Sequence, residues 1–528
     1  MALRAWLPLS DARIILYATL ALAAPAILVR YRHLAGWHRT RHPPSPRSFP
    51  LLGHLLWLTS GYIHLDFMKI GEQLESDIIF LKIFGENFIV LNSAKAASDI
   101  LEKRSAIYSD RLCPPFGKDP TLFDLSDNLV LLGHNDTWRL YRRMLNKWLS
   151  VRAVTQFNDL LEDQTTRLLR RLLAQSNHPQ PFEVVEEEFF FAMGSTMLKL
   201  GYGYQLESKD DVFFQELQLV INRIVKSLAP TSFAVNLFPI LTHVPSWLPG
   251  MGWKHTAQEW RKHKENIYQS LYDWTKSQVI AGTAEPSIVG YLLQDEDLTS
   301  GLSPEEKEKR LKELIVIYGG GTETTAGTLM KFVAAMVLNP DSQAKAQKEI
   351  DNVVGLDTLP KMSDRDRLPY IRNLILEVIR WHTVSPTGLP HVCSENDIYE
   401  GYDIEKGTVV MANTWAMSRD ETVYKDPESF NPDRFLDPNV PPLPVFGWGR
   451  RICPGMHFAE STLFIIITSL LATFTFSAKK DGEGKEIIPK IKDAPEPPAL
   501  TLQPFEFEFK PRSELHRNLI LAHNTMST

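Results

Sequence analysis

The chain reads Phe446-Gly447-Trp448-Gly449-Arg450-Arg451-Ile452-Cys453-Pro454-Gly455 immediately before an apolar stretch, Met456–Phe474, that is predicted to form a helix. Gly449 and Gly455 permit backbone turns that a Cβ atom would block. Cys453 therefore stands in a tight loop at a helix N-terminus, with the positive end of the helix dipole and Arg451 close to its sulfur. Both features lower the pKa of a thiol, so the loop predicts a thiolate.

Two other interpretations of Cys453 are open from this loop alone. A single cysteine is most often a small packing residue of the core. A catalytic nucleophile would need a base beside it, and the nearest histidine, His457, lies across the first turn of the predicted helix. The helix start, the basic neighbours and the glycine frame favour the thiolate over both.

The composition excludes several classes of protein. Among 528 residues there are three cysteines, Cys113, Cys393 and Cys453, and no Cys-x-x-Cys pair. This argues against a disulfide-stapled secreted scaffold and against a structural zinc site. The net charge is −6, so the chain as a whole has no electrostatic reason to bind nucleic acid.

The N-terminal residues predict attachment to a membrane. Ile14–Val29 is almost wholly apolar, and arginines crowd residues 30–47 after it, so the positive-inside rule predicts that the rest of the chain faces the cytosol. A signal peptide and a short interfacial helix are the alternatives, because the stretch is slightly shorter than the roughly 17–25 residues of a spanning helix. We predict an anchor over residues 1–30, a basic, proline-rich hinge over 31–50 and a catalytic domain over 51–528.

Beyond residue 60 the hydrophobic periodicity is mainly helical, and no linker or repeat divides the chain. The sequence therefore predicts one mainly α domain with small β-sheets. The predicted helices are Ala94–Arg104, Asp136–Leu149, Thr155–Ala174, Val185–Leu200, Asp211–Lys226, His255–Ile280, Glu305–Leu338, Asp341–Val354, Arg367–Trp381 and Met456–Phe474. The predicted strands are Ile78–Phe84, Phe88–Leu91, Ile398–Ile404 and Thr408–Ala412. The apolar, proline-rich segment 227–252 is either a buried connector or a lid that dips into a membrane.

The predicted helix Glu305–Leu338 contains an unusual run, Gly319-Gly320-Gly321-Thr322-Glu323-Thr324-Thr325. Each glycine in a helix interior costs about 1 kcal/mol relative to alanine, so three in succession indicate a local requirement. A phosphate-binding loop is disfavoured because no Lys-Ser/Thr follows and no strand precedes. Close packing against a neighbouring helix and a local opening beside a large flat ligand both remain. In the second case Glu323 and Thr324 would supply an acid and an alcohol.

Glu377 and Arg380 form the last unusual feature, a charged pair on one face of the predicted helix Arg367–Trp381. Exposed pairs of this kind contribute little to stability, but the flanking residues are apolar and predict burial. A buried arginine needs more acceptors than one carboxylate provides. We therefore expect further partners for Arg380.

Taken together, these segments resemble the cytochrome P-450 superfamily. Residues 446–455 match its haem-binding signature F-x-x-G-x-R-x-C-x-G at every defined position, and Gly320–Thr325 resembles its A-G-x-D-T-T helix, with glycine and glutamate where alanine and aspartate are usual. Its E-x-x-R matches Glu377–Arg380, its F-x-P-x-R-F matches Phe430–Phe435 and its W-x-x-x-R matches Trp138–Arg142. The resemblance runs from about Pro43 to the C-terminus and is closest to microsomal members of basidiomycete fungi.

The resemblance implies a cytochrome P-450 fold with a single catalytic domain and a role for each matching residue. Cys453 would be the axial thiolate ligand of the iron in haem b (iron protoporphyrin IX). Phe446 and Gly455 would shape the loop around its sulfur. The residues expected at the haem propionates are Trp138, Arg142, His391 and Arg451.

Two further groups of residues acquire roles through the same resemblance. Glu323 and Thr324 would deliver protons during the activation of dioxygen, and their presence argues against members that only rearrange or dehydrate their substrates. Glu377, Arg380 and Arg434 would form a structural triad that locks the haem pocket, which would supply the extra partner that Arg380 needs.

The activity implied is that of a monooxygenase at the endoplasmic reticulum membrane, which inserts one atom of O2 into a hydrophobic small molecule with electrons from NADPH through a cytochrome reductase. A haem-thiolate isomerase or dehydratase without NADPH and a haem protein that only binds ligands are the alternatives. A basic patch for the reductase is expected from Arg139, Arg143, Lys147, Arg450 and Arg451. The candidate residues of a mainly apolar substrate pocket, suited to terpenoids, aromatics or fatty chains, are Phe123, Val384, Thr387 and Leu389.

Overall fold

The computed structural model describes residues 41–50, 52–59, 61–229, 232–295, 297–494 and 500–522. The predicted anchor, residues 1–30, lies outside them. The described end of the predicted hinge packs on the folded body: the backbone N–H of Phe80 donates to the carbonyl of Pro44 over 2.9 Å, and the His42 ring stacks on the Phe80 ring with 4.1 Å between centroids. Residues 41–50 are therefore part of the domain and not a free spacer.

The single, mainly α domain with small sheets is confirmed. The helices are α1 (Ile63–Gln73), α2 (Ala94–Ala97), α3 (Pro115–Lys118), α4 (Asp136–Leu149), α5 (Asn158–Gln175), α6 (Pro181–Tyr202), α7 (Val212–Leu228), α8 (Ala234–Leu237), α9 (Trp253–Ala281), α10 (Ile288–Gln294), α11 (Pro304–Lys312), α12 (Val316–Leu338), α13 (Pro340–Val353), α14 (Pro369–Trp381), α15 (Thr414–Ser418), α16 (Met456–Thr473) and α17 (Glu514–Ala522).

The strands are short and lie mostly beside the helical core. They are β1 (Ile78–Ile83), β2 (Glu86–Leu91), β3 (Asp110–Arg111), β4 (His391–Val392), β5 (Asp397–Tyr399), β6 (Tyr402–Ile404), β7 (Val409–Ala412), β8 (Phe474–Ser477), β9 (Lys479–Lys480), β10 (Glu486–Ile487), β11 (Asp493–Ala494), β12 (Thr501–Leu502) and β13 (Glu508–Pro511). One sheet has the order β1-β2-β7-β4-β3, with β2 and β7 parallel and the other pairs antiparallel.

The prediction of one strand over Ile398–Ile404 is wrong. The segment is a hairpin in which β5 and β6 pair in an antiparallel manner. Glu400 and Gly401 form its turn, and both have positive φ angles, 49° and 83°. Two successive residues in this conformation match the turn that the right-handed twist of two paired strands favours.

The centre of the domain is formed by α6, α12 and α16, whose apolar residues share one large core. Among the described residues, α16 is the one helix long and apolar enough to cross a membrane, yet 78% of it is buried inside the protein. Burial on all sides explains its near-continuous apolar sequence. It therefore serves as the core helix that follows the cysteine loop.

The predicted helix Glu305–Leu338 begins as expected but is interrupted. A capping box starts α11, since the backbone N–H of Glu306 donates to Ser303 Oγ over 3.2 Å and the backbone N–H of Ser303 donates to the Glu306 carboxylate over 3.4 Å. A 3₁₀ turn at Glu313–Ile315 then separates α11 from α12. The three glycines lie inside the uninterrupted helix α12, so the helix does not open at this point.

Close packing accounts for two of the three glycines. A Cβ atom added to Gly321 would lie 2.2 Å from Met197 Sδ of α6, and one added to Gly319 would lie 2.6 Å from Ile221 Cδ1 of α7. Beside Gly320 there is open space within 4 Å. Gly320 stands one turn before Thr324 on the same face of α12, so this face borders open space while Gly319 and Gly321 are tightly packed.

The described part of the segment 227–252 packs into the core at Phe233 and Val235 and is exposed further on. Its first part is a buried connector, because Val235 is fully buried and the Phe233 ring stacks on the Phe116 ring at 3.8 Å. Its second part exposes large apolar side chains to solvent, with Phe238 51%, Ile240 72% and Trp247 79% exposed. An apolar patch of this kind at the surface is typical of an interaction site.

The glycine run yields a prediction with an internal control. Gly321→Ala should lower the melting temperature, because overpacking against Met197 costs about 1–3 kcal/mol, more than the gain in helix propensity of about 1 kcal/mol. Gly320→Ala should raise or preserve it, since the new methyl group enters open space. Thermal unfolding followed by circular dichroism at one heating rate measures both, and equal shifts of the same sign would contradict the packing explanation.

Candidate active site

The cysteine loop is shaped by two left-handed glycines and one short hydrogen bond. Gly447 and Gly449 have φ angles of 83° and 51°, and a Cβ atom on Gly449 would lie 2.6 Å from the carbonyl oxygen of Leu101. The backbone N–H of Cys453 donates to the carbonyl of Phe446 over 2.7 Å. The expectation that Gly455 makes such a turn is wrong, because its φ angle is −90°. Gly455 instead caps α16.

Cys453 is a free cysteine with exposed surface, although much protein surrounds its thiol. Burial raises the pKa of the Cys453 thiol, and the N–H of Gly455 and the Arg142 guanidinium lower it without reversing the shift. The expected stabilisation of the thiolate is present but loses to desolvation. A metal ion bound to the sulfur would reverse this balance, because coordination deprotonates a thiol.

Three arginines converge beside this loop: Arg142 of α4, Arg451 of the loop and Arg111 of β3. The Arg142 guanidinium donates to the carbonyl of Ile452 over 2.7 Å, and that of Arg451 donates to the carbonyl of Ser109 over 2.7 Å. Both lie over the Trp138 ring, at 5.8 and 4.6 Å from its centroid. Arg111 donates to the carbonyls of Leu389 and Pro390 over 2.6 and 2.9 Å.

The positive charge of this cluster is not neutralised within the described part of the chain, since none of its three arginines forms a salt bridge there. Burial lowers the pKa of Arg111 to about 9, helped by Arg451, and burial lowers that of Arg451 to about 10 despite Asp110. The buried Nε of Arg111 has no hydrogen-bond partner in the same part of the chain. Buried cations with unused donors fit a ligand that brings carboxylate groups.

His391 belongs to the same cluster. Its Nδ1 lies 2.7 Å from the carbonyl oxygen of Tyr108, and it pairs with Arg111 in the register of β3 and β4. Burial and the neighbouring Arg111 lower the pKa of His391 to about 3, so the ring is neutral. Because the Tyr108 carbonyl can only accept, Nδ1 carries the proton of the neutral ring, and Nε2 becomes a second donor only when the ring is protonated.

Sequence patterns did not select Arg111, which contributes as directly as Arg142 and Arg451. It lies in a two-residue strand whose partner strand comes 280 residues later in the chain. A local signal exists only in retrospect, in the sequence Ser109-Asp110-Arg111 after a buried tyrosine. Its place among the other arginines depends on sheet pairing.

The structure brings Glu377, Arg380 and Arg434 into one buried network. The Glu377 carboxylate accepts two hydrogen bonds from Arg380, of 2.7 and 2.8 Å, and two from Arg434 Nε, of 3.0 and 3.1 Å. The other guanidinium donors reach backbone carbonyls of Ser418, Pro427, Ser429, Lys425 and Asp426. Every charge in the network therefore has a partner, as burial requires.

Glu323 and Thr324 lie on α12 at the edge of the open space beside Gly320. The Thr324 hydroxyl donates to the carbonyl of Gly320 over 2.8 Å. Burial raises the pKa of the Glu323 carboxyl group, and its side chain has no hydrogen-bond partner among the described residues. An acid with a raised pKa keeps its proton closer to neutral pH, which suits a proton donor.

The four candidate pocket residues occupy different environments. Val384 faces α12, with Cγ2 3.4 Å from the position of a Cβ atom on Gly327, and Thr387 is half-buried. Leu389 has a largely exposed side chain. Phe123 has no accessible surface, because it packs against Phe116 and Trp260. Phe123 therefore does not line an open cavity here, and Val384 is the candidate that contacts α12.

The predicted basic patch is smaller than expected. Arg451 is buried. Arg139 pairs with Asp136, and Lys147 pairs with Asp295, each over 2.6 Å. The exposed members that form no salt bridge within the described residues are Arg143 and Arg450.

Three features occur together: a free thiol in a hydrogen-bonded loop, buried arginines beside that loop without an anionic partner in the described part of the chain, and an acid–alcohol pair on the long helix α12. Together they define the class of haem-thiolate proteins. The donor set explains why: sulfur suits iron, and the buried arginines suit the two propionates of haem. The residues present therefore fit this cofactor.

Comparison with known proteins identifies the family. The family model for cytochrome P450 matches residues 43–507. The chain is 35% identical to cytochrome P450 monooxygenase COX1 of Coprinopsis cinerea over 91% of this chain and 93% of that protein. It is 36% identical to cytochrome P450 monooxygenase 208 of Postia placenta over 96% and 97% of the two chains. The chain belongs to the cytochrome P450 family and is a P450 monooxygenase similar to those of basidiomycete fungi.

Arg111 can be tested through cofactor retention. Arg111→Leu should lower the ratio of haem to protein after purification, because a buried cation that faces the cofactor is lost while its neighbours remain. Arg139→Leu, at an exposed position paired with Asp136, is the matched control and should retain the wild-type ratio. The pyridine haemochrome assay measures haem and absorbance at 280 nm measures protein. Full haem content in Arg111→Leu would refute the role of this arginine.

Proposed function

We propose that this monooxygenase inserts one atom of dioxygen into a hydrophobic small molecule, with electrons that come from NADPH through a membrane-bound cytochrome reductase. The observation that carries the proposal is the pair Glu323 and Thr324 beside the open face of α12. Family members that need no proton supply, such as isomerases and dehydratases, would have no use for a desolvated acid at this place. A protein that only binds ligands would have none either.

The residues of the arginine cluster and the cysteine loop would hold haem b. Cys453 would bind the iron, while Arg111, Arg142, Arg451, His391 and Trp138 would hold the propionates. When bound, the haem supplies dioxygen activation, and a thiolate ligand favours cleavage of the O–O bond. The hydrogen bond from Cys453 N–H to Phe446 and the Gly455 N–H near the sulfur would orient the ligand and tune its electron density.

The proton supply would depend on the chain itself. Glu323 holds its proton to a higher pH than an exposed glutamate, because burial disfavours its charged form. The Thr324 hydroxyl is directed to the Gly320 carbonyl and can also accept a hydrogen bond. Glu323 would therefore release a proton and Thr324 would pass it into the cavity. Glu323, which stands where the family commonly has aspartate, keeps the same chemistry on a longer side chain.

The reductase would dock on the surface near the cysteine loop, where Arg143 and Arg450 are exposed. Complementary charge accelerates encounter with an acidic partner. Arg143→Glu should slow turnover supported by the reductase and leave turnover supported by hydrogen peroxide unchanged, because peroxide bypasses electron delivery. Equal loss in both assays would indicate damage to the fold instead.

The membrane would contact the protein at the predicted anchor and at the apolar patch formed by Phe238, Ile240 and Trp247. The Phe84 ring lies 6.1 Å from the Phe238 ring, so the turn between β1 and β2 adjoins this patch. Attachment at these places would orient the catalytic domain on the cytosolic side of the endoplasmic reticulum. Co-sedimentation with phospholipid vesicles tests the patch, since Trp247→Ser should weaken binding when residues 1–40 are removed.

The substrate would be a mainly apolar molecule such as a terpenoid, an aromatic compound or a fatty chain. Val384 and Gly327 form one apolar wall beside Thr324, and apolar walls with few polar groups are typical of such pockets. A panel of compounds screened for the spin-state change of the haem would narrow the class. Charged, hydrophilic compounds should give no shift.

The haem-thiolate assignment has a direct spectroscopic test. Reduced wild-type protein with carbon monoxide should show the red-shifted Soret band of a thiolate-ligated haem, and Cys453→Ala should lose it. Cys113→Ala removes a cysteine outside the loop and should keep the band. Survival of the band in Cys453→Ala would overturn the assignment of Cys453 as ligand.

The roles of Glu323 and Thr324 can be tested through the amount of product formed per NADPH consumed. Thr324→Ala and Glu323→Gln should consume NADPH with less product and more hydrogen peroxide than the wild type, because reduced oxygen escapes when protons arrive at the wrong place. Removing one acid–base group typically lowers the rate about 10²–10⁴-fold. Thr325→Ala, a buried neighbour, is the control. Product formed under nitrogen without NADPH would instead favour the isomerase or dehydratase alternative.

A further inference from the structure

Lys331 of α12 is a lysine with no accessible surface. Its Nζ donates one hydrogen bond, to the carbonyl of Thr383 at the end of α14, over 3.3 Å. The Asp493 carboxylate of β11 is the acidic group that acts on it electrostatically. A buried ammonium group has three donors to satisfy and a large desolvation cost. A lysine at this place in a core helix therefore calls for a physical explanation.

The surroundings of Lys331 contain further unsatisfied polar atoms. Four buried atoms have no hydrogen-bond partner among the described residues: His64 Nε2, His382 Nδ1, Thr383 Oγ1 and Asp493 Oδ1. His382 Nδ1 and Asp493 Oδ1 are 3.3 Å apart but are not aligned for a hydrogen bond. Buried polar groups in native proteins are nearly always paired, with ordered water where protein groups are lacking. Such a concentration of unpaired atoms indicates bound water.

The same groups connect three parts of the chain beside Val384: α12, the segment after α14 and β11. The segment His382-Thr383-Val384 is tied to α12 through Lys331 and to β11 through Asp493. The carbonyl of Val384 accepts a hydrogen bond from the backbone N–H of Leu500 over 2.8 Å, and the Tyr62 hydroxyl donates to the carbonyl of Asp493 over 2.7 Å. The position of Val384 opposite Gly327 therefore depends on these contacts.

We propose that Lys331, when protonated, and Asp493 form a buried charge pair bridged by bound water, and that this hydrated pair positions Val384 beside Gly327, where the substrate would bind. Lys331 is a positioning residue, since it acts through Thr383 and not on the substrate. The binding of water to the pair stands independently of the reaction, whereas its effect on substrate fit rests on the proposed function.

Charged and titratable groups from every neighbouring element act on the pair. Burial lowers the pKa of Lys331 to about 7, opposed by Asp493. Burial raises the pKa of Asp493, but His382, Lys331 and His64 together bring it below the usual value. Burial also lowers the pKa of His382, and that of His64 to about 4, so both rings are neutral near pH 7. Arg419 and Asp66 complete the set of charges.

The sign of the pH dependence follows from Lys331. Between about pH 7 and its ordinary pKa of 10.5, the unfolded chain holds a proton that the folded protein has lost. Stability from this group therefore rises with pH across that window. Relative to Lys331→Met, the folding equilibrium constant of the wild type should rise by about tenfold per pH unit at most.

The first experiment compares unfolding from pH 6 to pH 10 for the wild-type holoenzyme, Lys331→Met and Asp493→Asn. The advantage of Lys331→Met should shrink as the pH rises, and in Asp493→Asn the window should begin at a lower pH, because the carboxylate no longer favours the charged lysine. Lys348→Met, at an exposed lysine of α13, is the control and should parallel the wild type. Parallel profiles for all four proteins would overturn the charge pair.

The second experiment reads the position of Val384 without knowledge of the substrate. Imidazole and 1-phenylimidazole, which bind haem iron through nitrogen, are titrated into each protein. The shift of the Soret band gives the dissociation constant of each ligand. Lys331→Met should change the dissociation constant of 1-phenylimidazole by about tenfold and that of imidazole little, because only the larger ligand reaches the wall. If Lys331→Met changes neither dissociation constant relative to the wild type, or changes both by the same factor, the positioning role is refuted.

The two experiments separate this inference from the proposed function. A wild-type protein that retains no haem would refute the proposed function, while the unfolding profiles would still decide the charge pair. A crystal structure of the holoenzyme gives the direct test of the water. Density within hydrogen-bond distance of Lys331 Nζ and Asp493 Oδ1 is expected, and direct contact between the two groups with no density would refute the bridge.

Discussion

The catalytic half of the domain depends on the buried ion network around the Glu377 carboxylate. This carboxylate lies without accessible surface in α14 and accepts hydrogen bonds from two buried arginines and from the backbone N–H of Asn431. Through Arg380 and Arg434 it also holds the backbone of residues 418–429, the stretch that leads to the cysteine loop. Loss of one partner from a buried ion network costs about 3–5 kcal/mol, because the remaining charges keep their desolvation cost. The stretch that precedes the cysteine loop is therefore held by a network that contains no part of the reacting site.

In contrast to the Glu377 network, the arginine cluster beside the cysteine loop has no anion that pairs with it among the described residues. Arg111, Arg142 and Arg451 are buried without an anion in this part of the chain to balance their charge, which lowers their pKa values. Burial also raises the pKa of the Cys453 thiol. Both departures would be relieved by one cofactor that brings carboxylates to the arginines and a metal to the sulfur. A ligand that removes such costs stabilises the folded protein when it binds. The fold and the cofactor site are thus energetically linked.

The local patterns predicted the long helices to within a few residues but missed α1, α17 and most of the short strands. For α4 the agreement is complete, since the side chain of Asn135 caps the helix at Trp138 N–H and Asp136 follows it. The patterns failed where two local choices have similar free energy. The hairpin at 397–404 reads as one strand because alternation continues through the turn, and the 3₁₀ turn at Glu313–Ile315 lies inside a helical pattern. Phe123 was expected in the cavity wall because it is apolar, but apolar side chains serve equally well in the packed interior.

The sequence by itself determined the cysteine loop, the acid–alcohol pair on α12 and the pair Glu377–Arg380, because each is a short motif whose chemistry depends on residue type and spacing. Only the tertiary structure decided that Arg111 joins the arginine cluster through β3 and β4, and that Lys331 lies within electrostatic reach of Asp493. In the sequence both are ordinary charged residues, far from their partners. Burial turns them into features of the site, because the energy of a charge depends on the medium and on distant groups that folding brings near it.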